Sequence, residues 1–383
     1  MIDGAPRAPT LGVYIHWPYC ERICPYCDFN VVRDRGKVHE QAGLVEAIIL
    51  DLTAQARLAG PRTLASVFFG GGTPSLMAPG DVAKVLAAAR SLWTCAPDLE
   101  VTLEANPTDA EAARFAGLAR AGVTRLSLGV QSLDDRTLKK LGRNHDAAAA
   151  RRAASLAASI FPRLSIDLIY GLPDQDLQAW ARDLAGALAL GSEHISAYEL
   201  TIEAGTAFDR AVRRGALTMP GEDRRADLYT LTQEILEGAG FEAYEVSNHA
   251  RGAAARARHN LIYWRGEDYL GVGPGAHGRL TLSSARWASE TPRAIGDYVA
   301  KAGGEGGAAA RVRLTAKEVA LERLLMGLRT LEGVALTDLA ALSIAGPRLD
   351  ELAGLIETRR GRMVATPLGR PVLDRLIVRL VAD

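Results

Sequence analysis

The sequence predicts an α/β fold: a partial (β/α)6 barrel followed by a small C-terminal winged-helix-like α+β module. Three observations predict it. Six short apolar or alternating runs are each followed by a segment of helical periodicity. Glycines and polar residues recur where those runs end. The pattern then stops near a glycine-rich stretch, beyond which shorter elements follow.

Val13 and Ile15 mark the first strand, and a helix is expected over 38–57. The next strands are expected at 66–70, 100–104, 125–130, 164–170 and 194–200. Their helices are expected at 81–92, 109–121, 134–141 with 147–160, 176–190 and 223–239. Six β-then-α units in a row imply a parallel sheet with outer helices. Right-handed crossovers would curl it into a barrel or part of one. The expected division is a barrel over 1–240, an extension completing the core over 241–302, a linker over 303–315 and the module over 316–383. Gly303, Gly304, Gly306 and Gly307 mark the linker. In the module, helices are expected over 316–330, 347–357 and 371–380, with a wing strand over 362–366.

The chain has 383 residues, 48% of them hydrophobic, enough for a substantial core. Lys plus Arg equals Asp plus Glu at 45 each, so nothing calls for nucleic acid or an anionic membrane as main partner. From Ala316 onward 10 basic residues face 9 acidic ones, which favours a packing or lid role for the module over DNA binding. Residues 1–10 lack the apolar core of a signal peptide, and no run of 18 apolar residues occurs. The expectation is a soluble cytoplasmic protein, with transient membrane association left open.

After the first strand comes Cys20-Glu21-Arg22-Ile23-Cys24-Pro25-Tyr26-Cys27, which holds three of the four cysteines. Pro18 and Pro25 argue for a loop. Iron–sulfur clusters sit on Cys thiolates, usually four. Three thiolates on a four-iron cubane would leave one iron open to a small molecule. Zinc is the competing metal, and His16 would complete a Cys3His set. Cys95 stands alone in an apolar stretch and reads as a buried thiol. A disulfide is the weaker reading, since three close cysteines cannot pair off.

The other strand ends carry Gly70–Gly72 with Thr73, then Glu104, Asn106, Gln131 and Ser132; Asp167, Tyr198 and Glu199 lie within the last two strands. In parallel βα barrels the site lies at the C-terminal ends of the strands. Singly, a glycine run reads equally as a turn and Glu104 as a helix cap; jointly these residues favour a site. The glycines lack both dinucleotide and P-loop spacing; their bare backbone suits an amino-acid ligand. Three of the seven histidines fall within 241–278, and His259 lies near Tyr263 and Trp264. Imidazole is a common axial ligand to haem iron. The competing reading is a hydrogen-bonded loop with aromatic core.

On these residues the chain resembles the radical S-adenosylmethionine (SAM) proteins, and more narrowly the coproporphyrinogen III dehydrogenase group. The motifs are YIHWPYC over 14–20, GGGTP over 70–74, GVQS over 129–132 and IDLIYGLP over 166–173. The resemblance implies a [4Fe–4S] cluster on Cys20, Cys24 and Cys27, with SAM on the fourth iron. It implies that Tyr14, Tyr26, Gly71, Gly72, Thr73, Glu104, Gln131, Arg143 and Asp167 surround SAM, and that an electron donor serves the cluster. Two departures matter. The dehydrogenase has a fourth cysteine two residues after the third, where this chain has Phe29, and it has a longer N-terminal extension. Both departures, with HNLIYW over 259–264, resemble the haem chaperone branch of the group. That branch implies binding haem, with His259 as candidate ligand, and passing it to acceptor haem proteins such as respiratory enzymes. The alternative is an oxygen-independent coproporphyrinogen III oxidase or another radical SAM enzyme acting on a tetrapyrrole.

Overall fold

The computed structural model describes residues 8–109, 112–344 and 346–381. Six parallel strands carry the architecture: β1 Thr10–Trp17, β2 Thr63–Gly71, β3 Thr94–Ala105, β4 Arg125–Gln131, β5 Arg163–Tyr170 and β6 His194–Glu199. Each pairs with the next. Between them run α1 Val38–Ala59, α2 Pro79–Leu92, α3 Ala112–Ala121, α4 Asp135–Lys140, α5 Ala147–Ile160 and α6 Leu177–Leu188. After β6 come α7 Ala207–Arg213 and α8 Glu222–Gly238. The six βα units and the partial barrel are therefore present. Part of the helix expected over 109–121, residues 110 and 111, lies outside the described residues, as do residues 1–7.

Local chemistry sets where the helices begin. Asp134, Asp146 and Asp176 each accept a hydrogen bond from the backbone N–H three residues on, satisfying a donor that the first turn leaves free. The strands alternate: one face is apolar and packs under the helices, while the other carries Thr102, Ser127, Asp167 and Ser196 into the barrel interior. Val67, Phe69, Val101, Leu103, Leu126, Leu128, Ile166 and Leu168 are fully buried in one core.

Beyond α8 the sheet continues on both flanks. β7 Glu242–Ala243 and β8 Asn248–Ala250 add to the β6 edge in antiparallel fashion. Then α9, Arg258–Trp264, crosses beneath the strands. β9 Asp268–Val272 pairs in parallel with β1, so the N-terminal strand lies between β2 and β9. β10 His277–Leu282 and β11 Ala285–Glu290 extend that flank, followed by α10 Ile295–Lys301.

The stretch 303–315, expected as a linker, differs. Its last part is β12, Ala310–Arg313, which pairs with β11 and makes the edge of the twelve-stranded sheet. The glycines before it are pinned to α1. Buried Asp51 accepts hydrogen bonds from Ala308 N (3.0 Å) and Tyr298 Oη (2.9 Å). A Cβ on Gly307 would stand 2.2 Å from Asp51 Oδ1, so this glycine serves a close approach.

The C-terminal module has its own small core around Leu324, Leu328, Met363, Leu376 and Leu380. It comprises α11 Ala316–Gly327, β13 Val334–Ala335, α12 Gly346–Glu351, β14 Ile356–Arg359, β15 Arg362–Ala365 and α13 Leu373–Val381. The helix expected over 347–357 is shorter: it ends at Glu351, and Ile356 begins a strand paired with β15.

Candidate cofactor site

The cysteine loop is pinned at its base. Val32 N donates to Pro18 O (2.8 Å) and Asp34 N to Cys20 O (2.7 Å), so residues 21–31 loop out from a short two-stranded ladder. Cys20 is buried; Cys24 and Cys27 are half-buried. All three line a cavity of about 470 Å³ at the C-terminal ends of the strands, within the usual range for one small-molecule ligand. Burial pushes the Cys20 thiol up to about 11 and raises that of Cys27 as well. Three crowded thiolates thus need a cationic centre, and a coordinated metal deprotonates its thiols outright.

The cavity wall comes from the strand ends. Gly72 N donates to Trp17 O (2.7 Å), and a Cβ on Gly72 would stand 2.6 Å from Tyr19 O. A side chain there would push the wall from the cysteine loop. Gly71 N donates to Glu104 Oε2 (3.1 Å), and Asn106 Nδ2 donates to Thr73 Oγ1 (3.1 Å). Arg143 donates to Gly129 O (3.0 Å), to Asn106 Oδ1 and to Cys24 Sγ (3.5 Å). Ser127 Oγ donates to Asp167 Oδ2 (2.9 Å).

Several polar atoms here have no protein partner. Asp167 Oδ1, Gln131 Oε1 and Arg143 Nε are buried without a hydrogen bond. Gln131 also takes φ 67°, a left-handed conformation unusual for a residue other than glycine. Burial and the neighbouring charge of Asp167 push Glu104 up to about 8; burial pushes Asp167 to about 6. Two adjoining buried carboxylates with their affinity for protons raised are a site for a cation or a hydrogen-bond donor. A ligand amine or ribose hydroxyls meet that need.

These features fit the groups the sequence suggested. Three free thiols, a close-approach glycine wall and unpartnered carboxylate, amide and guanidinium atoms surround one ligand-sized space. Among the described residues, no three His, Cys, Asp or Glu side chains converge closely enough to hold a single metal ion. Thiols spread around a cavity suit a multi-iron cluster better than one tetrahedral zinc. His16 does not complete a zinc set. Its Nδ1 is bonded to Tyr14 Oη (2.9 Å) and its Nε2 to Asn30 O (2.8 Å). Cys95 lies on β3, half-buried rather than fully buried as expected, and lines no part of this cavity.

Of the residues expected around SAM, Tyr26, Gly71, Gly72, Thr73, Glu104, Gln131, Arg143 and Asp167 line the cavity together. Tyr14 does not. It stands beside the lining residues on the same face of the sheet, its ring stacked on that of Phe68 with centroids 6.0 Å apart. His259 lines the cavity at the opposite end, with its ring centroid 3.9 Å from that of Phe68. Burial pushes its imidazole down to about 3, so it is neutral, and its Nδ1 has no partner.

The floor also holds a residue that the motifs do not mark, His194. Its Nε2 shares a hydrogen bond with Tyr244 Oη (2.8 Å), and its Nδ1 is unpartnered. It stands at the start of β6, the end of the strand where a barrel site is not expected. Beneath the floor, Arg125 is fully buried. It donates to Glu100 Oε2 (2.9 Å), Ser165 Oγ (3.2 Å) and Ala255 O (3.0 Å), while Arg258 N donates to Glu100 Oε1 (2.7 Å).

A strand-end thiol loop over a ligand-sized cavity in a partial βα barrel defines a radical SAM protein, and a family model described as the Radical SAM superfamily matches residues 14–184. Radical S-adenosyl methionine domain-containing protein 1, mitochondrial, from Bos taurus is 40% identical over 99% of this chain and 90% of its own length. Heme chaperone HemW from Mycobacterium tuberculosis is 37% identical over 97% and 94%. That from Escherichia coli is 40% identical over 73% of each. The chain belongs to the radical SAM superfamily and, within it, to the family of these relatives. The solved structure of Escherichia coli coproporphyrinogen III oxidase (HemN), described as a radical SAM enzyme, shares the fold. Its TM-score is 0.80 at 21% identity, over 99% of this chain and 92% of that one.

Proposed function

We propose that this protein is a haem chaperone: it binds haem and passes it to acceptor haem proteins, and it carries a [4Fe–4S] cluster with SAM at the open iron. The observation that carries this reading is the likeness, along nearly the whole chain, to proteins named as heme chaperones. The site agrees with it. Phe29, two residues after Cys27, is 62% exposed at the cavity rim, so the loop offers three thiols and not four. The unpartnered imidazole of His259 offers a nitrogen of the kind that ligates haem iron.

Bound on Cys20, Cys24 and Cys27, a cluster with SAM supplies one-electron chemistry. The chain's own residues bind and orient. Glu104 and Asp167 accept from the ligand's amine or ribose, Arg143 pairs with its carboxylate, and Gly71 and Gly72 let it approach the backbone. Tyr26 closes one side beside Phe208, with ring centroids 6.2 Å apart. No helix among the described residues is long and apolar enough to cross a membrane. A reducing compartment such as the cytoplasm keeps the three thiols available for iron. Respiratory enzymes are the acceptors we propose.

The second reading, an oxygen-independent coproporphyrinogen III oxidase or another tetrapyrrole enzyme, is favoured by the retained SAM residues. One anaerobic experiment separates the two. The cluster is reconstituted, then haem binding is measured without SAM, and coproporphyrinogen turnover with SAM and a reductant. Stoichiometric haem binding without turnover is expected; robust conversion to protoporphyrinogen would replace the chaperone reading with the oxidase.

A further inference from the structure

His259 rises from α9, which separates two cavities. His259 and Asn260 on one face line the cofactor cavity, while Arg258, Leu261 and Ile262 on the other line a different cavity under the strands. Hydrogen bonds tie the two sides together. Arg125, buried completely, ties Glu100 to the backbone carbonyl of Ala255, and Glu100 in turn accepts from Arg258 N. Asn260 Nδ2 donates to Tyr244 Oη (3.1 Å), which also holds His194. The imidazole therefore shares its cavity with the three cysteines.

Glu104 and Asp167, the carboxylates that fit SAM, line the same cavity as His259. A space of about 470 Å³ lies in the lower half of the roughly 300–1,000 Å³ occupied by one ligand. Haem is larger than SAM and rigid. Ligated through His259, its macrocycle would take up space that the same carboxylates border. The carboxylates favour a cationic occupant, and SAM carries both an ammonium and a sulfonium; the apolar macrocycle offers them nothing.

We propose that SAM at the cluster and haem ligated through His259 are mutually exclusive occupants of this one cavity, so that SAM binding releases haem toward an acceptor. The inference rests on the haem chaperone reading and adds a regulation to it. SAM acts here by occupancy and is not consumed. Because the coupling is a binding free energy, it is reciprocal: haem weakens SAM by the factor by which SAM weakens haem.

The test uses full-length, cluster-loaded protein under anaerobic conditions. Haem is titrated with and without SAM at ten times its own Kd, and haem retained after desalting is read from the Soret band. The cluster is present in both arms, so its absorbance cancels. An increase of about tenfold in the apparent haem Kd is expected, as is the same fold loss of SAM binding by equilibrium dialysis when haem is in matching excess. Both measurements use the wild-type chain, so the result does not depend on a variant folding. In His259→Ala, the remaining haem binding is expected to ignore SAM. Equal wild-type haem affinity with and without SAM overturns the exclusion and leaves the chaperone reading standing. Haem affinity unchanged in a folded His259→Ala overturns it too. If no haem binds in any arm, the chaperone reading fails and this inference with it.

Discussion

At the cysteine end of the barrel, Asp167 Oδ1, Gln131 Oε1 and Arg143 Nε are buried without protein partners. At the opposite end, Arg125 is buried just as deeply, yet it donates to Glu100, Ser165 and Ala255. The same six strands thus carry unsatisfied polar groups at one end and a hydrogen-bonded plug at the other. Buried polar groups are normally paired, so a cluster of unpaired ones marks where something else binds. The comparison teaches that buried charge alone does not locate the site; unmet hydrogen-bonding capacity around a ligand-sized cavity does.

Four substitutions probe that contrast. Cys24→Ser at the open end is expected to abolish cluster assembly and SAM binding, read as loss of iron–sulfur absorbance and of labelled SAM retention. It should leave the melting temperature of the cluster-free chain nearly unchanged; a large drop would mean that the thiol is structural. Arg125→Ala at the closed end is expected to do the reverse. It strands Glu100 in the interior and should cost about 3–5 kcal/mol in urea unfolding. A change near zero would show that the plug is not coupled to stability.

Glu104→Gln tests the electrostatics of the open end. A carboxyl whose folded pKa is raised keeps its proton while the unfolded chain has lost it. Stability of the cofactor-free protein therefore falls as pH rises from the ordinary 4.5 toward about 8 for Glu104, and from the ordinary 3.8 toward about 6 for Asp167. The glutamine variant should flatten this slope from about pH 5 to about pH 8, by an amount on the order of 2 kcal/mol. An identical slope in wild type and variant would remove Glu104 as its source. Arg375→Ala belongs to neither end. Its ion pair with Glu222 (2.5 Å) is about three-quarters exposed on both sides, and its loss should change stability by no more than about 0.5 kcal/mol. A larger loss would show that the C-terminal module's docking onto α8 matters more than its exposure suggests.

Much of this was legible in the sequence because barrel strands and their helices carry strong periodicity. The helix expected over 147–160 matches Ala147–Ile160, capped by Asp146. The thiol spacing and the strand-end polar residues located most of the cavity wall. Four things were not legible. The glycines at 303–307 resemble a flexible connection, and only the buried Asp51 on α1, about 250 residues earlier in the chain, makes them a fixed turn. The polar–apolar pattern over 347–357 suits a helix, but tertiary pairing of Ile356–Arg359 with β15 overrides it. Tyr14 belongs to a matched motif and shares its face of the sheet with Phe68, yet its ring stacks on Phe68 instead of lining the cavity. His194 gave no signal, because a lone histidine at a strand start reads as core.

β1 pairs on one side with β2 and on the other with β9, Leu11 facing Asp268 across the second ladder. The cysteine loop follows β1 directly, so it leaves the ribosome early. The floor of its cavity, α9, and the strand that completes its flank are made some 240 residues later. At roughly 5–20 residues per second, the nascent thiols wait on the order of tens of seconds before the space around them can close. Iron and sulfide therefore meet this chain either on an open half-barrel still being synthesised or through the finished mouth, and the order of construction decides which assembly factors can reach the loop.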